Sequence, residues 1–167
     1  MTICERIISI ANSYLVNNNF IQSEEYQGEW LQEKKDAYGW NDAYAMGSWF
    51  TEVVWKQAYG PESQEWGQID RLFNPSPIST HTNFRGSRHF RTGVMPQLGA
   101  LAIWKNGWHS YMGIVVSVSQ DGNLFDMVIA QLENNKIRVN LHFSRQAQME
   151  YKKDGYNLVG FVYPKEI

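Results

Sequence analysis

The side chains able to do chemistry are few and scattered. The chain of 167 residues has 4 His and 1 Cys. His81 and His89 lie in a Pro- and Gly-rich stretch, without the His-Glu-x-x-His spacing that sets two ligands on one helix face. They read as surface or loop residues. His142 alternates with Leu141 and Phe143, which puts it on the exposed side of a predicted strand. Cys4 sits beside Ile3 and Ile7 and reads as a small buried hydrophobe. A single Cys excludes an internal disulfide and a Cys-rich zinc site. There is no P-loop, no dinucleotide-binding glycine fingerprint and no EF-hand loop, so neither cofactor nor metal is expected.

Two further groups stand out. Arg85, Arg88 and Arg91 flank Gly86, Ser87, His89 and Phe90 in the strongest local charge cluster. Such a cluster could hold a carboxylate or phosphate. It could equally be a solvated loop, an internal partner for acidic residues or a protein–protein contact. The chain has 7 Trp. Trp40, Trp49 and Trp55 lie within or beside a predicted helix, where at least one should be core. Trp104 and Trp108 would flank a cleft, as core, interface or groove wall.

The elements that position these residues follow from pattern. Thr2 and Glu5 have capping-box spacing, and Ile3, Ile7, Ile10, Tyr14 and Leu15 continue at helical period. Asn17-Asn18-Asn19 should end this helix, with a short helix near Trp30–Lys35 in an acidic loop. A second helix is predicted from Asn41 or Asp42 to Tyr59, stopped by Gly60-Pro61. Residues 61–98 read as an irregular connector. Five strands follow at 100–104, 111–118, 124–131, 136–143 and 158–163. Asp121-Gly122 and Asn134-Asn135 supply turns of two hairpins. Helices followed by an antiparallel sheet define an α+β fold, with a helical half at 1–60 and a sheet half at 99–167 of one domain.

This order carries a resemblance. Gly39-Trp40-Asn41-Asp42-Ala43-Tyr44-Ala45-Met46 opens the second helix. Pro96-Gln97-Leu98-Gly99-Ala100-Leu101-Ala102-Ile103-Trp104 leads into the first long strand. Tyr111-Met112-Gly113-Ile114-Val115-Val116 and Leu158-Val159-Gly160-Phe161 are later strands. Together they resemble the NlpC/P60 and CHAP-like cysteine amidases and endopeptidases, papain-like cell-wall hydrolases that are often phage-encoded. The resemblance implies N-terminal helices packed on a five- or six-stranded antiparallel sheet. It implies a Cys at the helix start, activated by the helix dipole and paired with a His on an adjacent strand.

The sequence departs from that chemistry at four positions. Ala45 stands at the place of the family Cys, and a methyl group cannot attack a carbonyl. Tyr111 stands at the place of the family His, and a phenol near pKa 10 is a poor base at neutral pH. Gln131 falls near the third, orienting position. Ala100 replaces the Asp of the Pro-x-x-Gly-Asp turn. His109 is an alternative base, if a bulge or shifted register carries it to the helix end.

Three functions are open at this point. The first is a catalytically degenerate, hydrolase-like protein that binds or builds something, such as a phage virion or tail component. Trp40, Tyr44, Trp104, Trp108, Arg85, Arg88 and Arg91 would then be cleft or partner contacts. The second is a cysteine amidase or endopeptidase for peptidoglycan stem peptides, with its nucleophile at position 45 substituted. The third is an unrelated α+β interaction module.

Composition narrows the partners. The net charge is −2 and charged residues make 19%, against the strongly basic balance of a nucleic-acid binder. Residues 1–70 hold 4 basic and 11 acidic residues, and residues 71–167 hold 11 basic and 6 acidic. No apolar run approaches the roughly 18 residues of a membrane span, and the first residues lack a signal-peptide pattern. Protein subunits or peptidoglycan fragments are the expected partners. The expected location is the cytoplasm, or a phage particle after assembly.

Overall fold

The computed structural model describes residues 1–18, 20–21, 46–133, 136–145, 152–153 and 155–167. Helix α1 covers Ile3–Asn18. Its capping box forms as the spacing predicts: Glu5 N–H donates to Thr2 Oγ1 at 3.1 Å, and Thr2 N–H donates to Glu5 Oε2 at 2.7 Å. The chain end adds a second cap. Glu166 Oε2 accepts from Ile3 N–H at 2.7 Å, and Oε1 from Cys4 N–H at 3.2 Å. Ile3, Ile7 and Ala11 form its buried stripe.

Helix α2 covers Met46–Tyr59 and is the core helix. Trp49, Phe50, Val53, Val54, Trp55 and Ala58 are all buried on it. The proposed caps Asn41 and Asp42 lie outside the described residues, as do the short helix near Trp30–Lys35 and the turn Asn134-Asn135.

The stretch 61–98 is not irregular. It contains α3 (Gln64–Leu72) and α4 (Pro77–Ser87). Ser63 caps α3 by accepting from Trp66 N–H, and Ser76 caps α4 by accepting from Ser79 N–H. Pro77 begins α4 instead of breaking it: in the first turn its missing N–H has no helical partner to lose. Ile69, Phe73 and Phe84 carry these helices into the core.

Among the described residues, the antiparallel sheet has five long strands and three two-residue ones. They are β1 (Phe20–Ile21), β2 (Thr92–Gly93), β3 (Leu101–Asn106), β4 (His109–Val118), β5 (Leu124–Glu133), β6 (Lys136–Arg145), β7 (Lys152–Lys153) and β8 (Tyr156–Val162). The order is β1-β6-β5-β4-β3-β8-β2, with β7 beside β8. The five long strands match the predicted ones in place. The fold is α+β, as expected.

Side-chain alternation splits the sheet into two cores. Leu101, Ile103, Met112, Ile114, Val128, Ala130 and Val139 face the helices: β4 and β5 pack on α1 and α2, β6 on α1, and β3 on α4. Trp104, Val115, Phe125, Met127, Ile129 and Phe161 pack on the far face. The far face is strongly curled. Phe125 on β5 and Phe161 on β8 have ring centroids 5.4 Å apart. In a flat sheet those strands would lie about 14 Å apart, two strands between them.

The alternation on β6 runs opposite to expectation. Leu141 and Phe143 are exposed, and His142 is half-buried. Beyond the Ala130–Val139 pair, Leu141 lies opposite Val128 and Phe143 opposite Asp126.

Candidate functional site

The resemblance draws attention to the start of α2 and the strand it meets. That junction is close. A Cβ on Gly47 would stand 3.0 Å from the Met112 carbonyl oxygen and 3.2 Å from its nitrogen. Only glycine lets the helix seat there. The side chain that β4 offers to the helix layer at this point is Met112, fully buried in the helix-side core. A thioether neither accepts nor delivers a proton at neutral pH.

The other expected site residues do not converge on this junction. Ala45, Trp40 and Tyr44 lie outside the described residues. Tyr111 is one residue from Met112, so it faces the opposite side of the sheet. There it stacks on Trp104, with centroids 6.0 Å apart and an interplanar angle of 7°. Tyr156 meets it edge-on at 4.8 Å. Tyr111 therefore has a packing role in the far core.

His109 shares the parity of Tyr111 and is exposed at the first position of β4. The bulge that would redirect it is absent. The β3–β4 ladder runs unbroken from Leu101 opposite Ile114 to Asn106 opposite His109. Gln131 is exposed on β5, opposite Arg138 on β6. Ala100 is buried where the chain enters β3, its carbonyl accepting from Val115 N–H at 2.8 Å. Trp104 is core. Trp108 is 102% exposed in the Gly107-Trp108 turn between β3 and β4.

A polar stripe on α2 escaped sequence reading. Ser48, Glu52 and Lys56 recur every four residues and are each about 1% exposed. Lys56 Nζ is 2.7 Å from Asp70 on α3 and 3.9 Å from Glu52. It also lies 4.6 Å from the Trp66 ring centroid. The buried ammonium is thus matched by two carboxylates and a π-face, and the cluster ties α2 to α3. The Ser48 hydroxyl has no hydrogen-bond partner among the described residues. The four-residue spacing inside an otherwise apolar helix was the available signal.

The remaining nucleophile and imidazoles are occupied by structure. Cys4 lies in the first turn of α1, where the helix dipole alone would favour a thiolate. Burial and the Glu166 carboxylate beside it instead push its pKa up to about 11. His81 is held below the usual imidazole range by burial and by nearby Arg85. His89 sits between Phe90 and the Glu65 carboxylate, 3.5 Å away. Arg85, Arg88 and Arg91 are exposed, and none forms an ion pair among the described residues. The described residues contain no cluster of His, Cys, Asp and Glu able to hold a metal ion.

No protein-family model, curated protein or solved structure matches the chain, so the likeness to the cysteine amidases rests on its ordered sequence motifs.

Proposed function

We propose that this chain is a catalytically degenerate, cell-wall-hydrolase-like protein acting as a binding or structural component, of the kind that phage particles contain. One observation carries the reading. Where α2 begins against β4, the strand turns Met112 toward the helices, and Tyr111 packs on Trp104 behind the sheet. Acyl transfer through a helix-borne nucleophile needs a base at that junction. Function follows from the site and not from the layer arrangement, and this site is built for packing.

The test is release of muropeptides from purified peptidoglycan, detected by mass spectrometry. The protein is run beside its Ala45→Cys and Ala45→Cys/His109→Ala forms. We expect no product from any of them. Product from Ala45→Cys that disappears with His109→Ala would replace this reading with that of a cysteine amidase lacking its nucleophile. Sedimentation with insoluble peptidoglycan then separates a glycan- or peptide-binding role from an assembly role.

A further inference from the structure

The segment from the end of α4 to β3 is exposed and firmly held. Tyr163 clamps it. The Tyr163 N–H donates to the Arg91 carbonyl at 2.8 Å, and its hydroxyl donates to the Met95 carbonyl at 2.7 Å. Gly93 lies against the same ring, where a Cβ would come within 2.3 Å of the hydroxyl. Farther along, the Gly99 carbonyl accepts from Trp55 Nε1–H at 3.2 Å. The backbone here is fixed at both ends and in the middle.

This fixed segment shows solvent an unusual surface. Arg85, Arg88 and Arg91 are exposed, with Arg91 set 5.8 Å from the Tyr163 ring centroid. The three fall within one stretch of seven residues, Arg85 to Arg91. The nearby carboxylate of Glu65 is already shared by Lys165 and His89. Met95 and Leu98, 48% and 45% exposed, follow on the same segment, and Met95 is held by the Tyr163 whose ring Arg91 covers. Exposed cations and bare apolar side chains carried by one fixed stretch of backbone, which loses little entropy on binding, describe a prepared contact.

We infer that residues 85–98 form a docking surface for an acidic, apolar-containing segment of a partner protein. Carboxylates match the arginines in bidentate pairs. Apolar side chains of the same segment cover Met95 and Leu98. A nucleic-acid strand fits less well, since the protein as a whole is net negative. The inference names partner chemistry for a binding protein, but stands on this surface whatever Ala45→Cys does.

The test uses a fluorescein-labelled peptide of 14 alternating acidic (Glu, Asp) and apolar (Leu, Phe) residues, followed by fluorescence anisotropy on the full chain (the probe length chosen to span roughly the same stretch). We expect saturable binding that weakens with added salt. Arg85→Glu/Arg88→Glu/Arg91→Glu should weaken it by roughly tenfold or more, and Met95→Asp/Leu98→Asp should weaken it as well. All these side chains are exposed, and unchanged circular dichroism confirms that each variant is folded. No binding by the native chain, undiminished binding by the arginine variant, or equal binding of single-stranded DNA of the same charge would each overturn the inference.

Discussion

The junction of α2 with β4 and the segment 85–98 are built by the same means and turned to opposite ends. Both depend on a glycine pressed against its neighbour, Gly47 on Met112 and Gly93 on Tyr163. Both are held to the core helix: Trp55 on α2 reaches the Gly99 carbonyl that ends the segment. At the junction the close approach leaves apolar side chains inside. Along the segment it fixes a backbone whose charged and apolar side chains stay outside. The rigid, exposed surface of this protein therefore lies on the segment and not at the junction where the resemblance would place a nucleophile and base. A prepared surface of this kind fits recognition better than turnover.

The comparison is broken most severely at Trp55, which serves both regions. Its ring meets Tyr59, Phe73, Phe84 and Phe90 at centroid distances of 6.1, 6.2, 5.9 and 5.6 Å. Trp55→Ala opens a large cavity and leaves the Gly99 carbonyl without its indole donor. A loss of about 3–5 kcal/mol is expected, seen as a lower denaturation midpoint in urea. Retention of the native midpoint would mean that the two regions are not mechanically joined through this residue.

The junction alone is sharpened by a pair of identical substitutions. Alanine in place of helical glycine ordinarily gains about 0.5–1 kcal/mol. Gly67 on α3 has open space around a would-be Cβ, so Gly67→Ala should be stabilising by that amount. Gly47 faces the Met112 backbone at 3.0 Å, which cannot swing aside as a side-chain tip can. Gly47→Ala should therefore destabilise, by about 1–2 kcal/mol once overpacking exceeds the helical gain. Thermal melts of both variants decide it. The same sign for both would show that the helix start is free to shift on the sheet.

Legibility in the sequence follows from the range of the forces involved. The five long strands and α1 were readable because period and capping are local: Thr2 with Glu5, and the apolar runs of β3 to β6. α3 and α4 are hidden in the sequence because Pro75, Pro77 and Gly67 read as breakers. Ser63 and Ser76, placed to cap, were passed over. The site was harder. Tyr111 aligns by motif with a base, yet its facing depends on the register of the β3–β4 ladder and on which side the helices pack. Those are tertiary facts. Leu141 and Phe143 show the same limit, since alternation gives two faces without saying which one is covered. The polar stripe of Ser48, Glu52 and Lys56 was legible in spacing. Its burial needed α3 to bring Asp70 and Trp66 to Lys56.

The segment is sharpened by Tyr163→Phe, which removes only the hydroxyl. The Met95 carbonyl then loses its donor and the loop loses its middle fastening. A stability loss of about 1 kcal/mol is expected. Amide hydrogen exchange should accelerate over residues 92–97 more than in β3 or β4. If the segment stays as protected as before, the clamp lies in the backbone pairing of β2 with β8 and the hydroxyl is dispensable. Peptide binding measured on the same variant tests whether fixing the loop matters for docking.

The smallest effect concerns how the chain end holds α1, the helix that packs beside α2. The Ile3 and Cys4 N–H groups favour the charged form of Glu166 and hold its carboxyl below the usual range. The unfolded chain has no such donors, so its value stays near the ordinary one, about 4.3. A carboxyl depressed in the folded state stabilises it fully above the unfolded value. That contribution disappears as pH falls through the lower, folded value. Glu166→Gln keeps one oxygen to accept from Ile3 N–H and puts an NH2 group, which cannot accept, at the position facing Cys4 N–H, so it removes the charge and the longer of the two hydrogen bonds. Because the group is exposed, the native protein should exceed the variant by only about 0.5 kcal/mol near neutral pH. Urea midpoints measured from pH 7 downward should converge below the ordinary carboxyl range. A gap that persists undiminished into strong acid would mean that Glu166 acts through packing, and that the end of the chain does not cap α1 electrostatically.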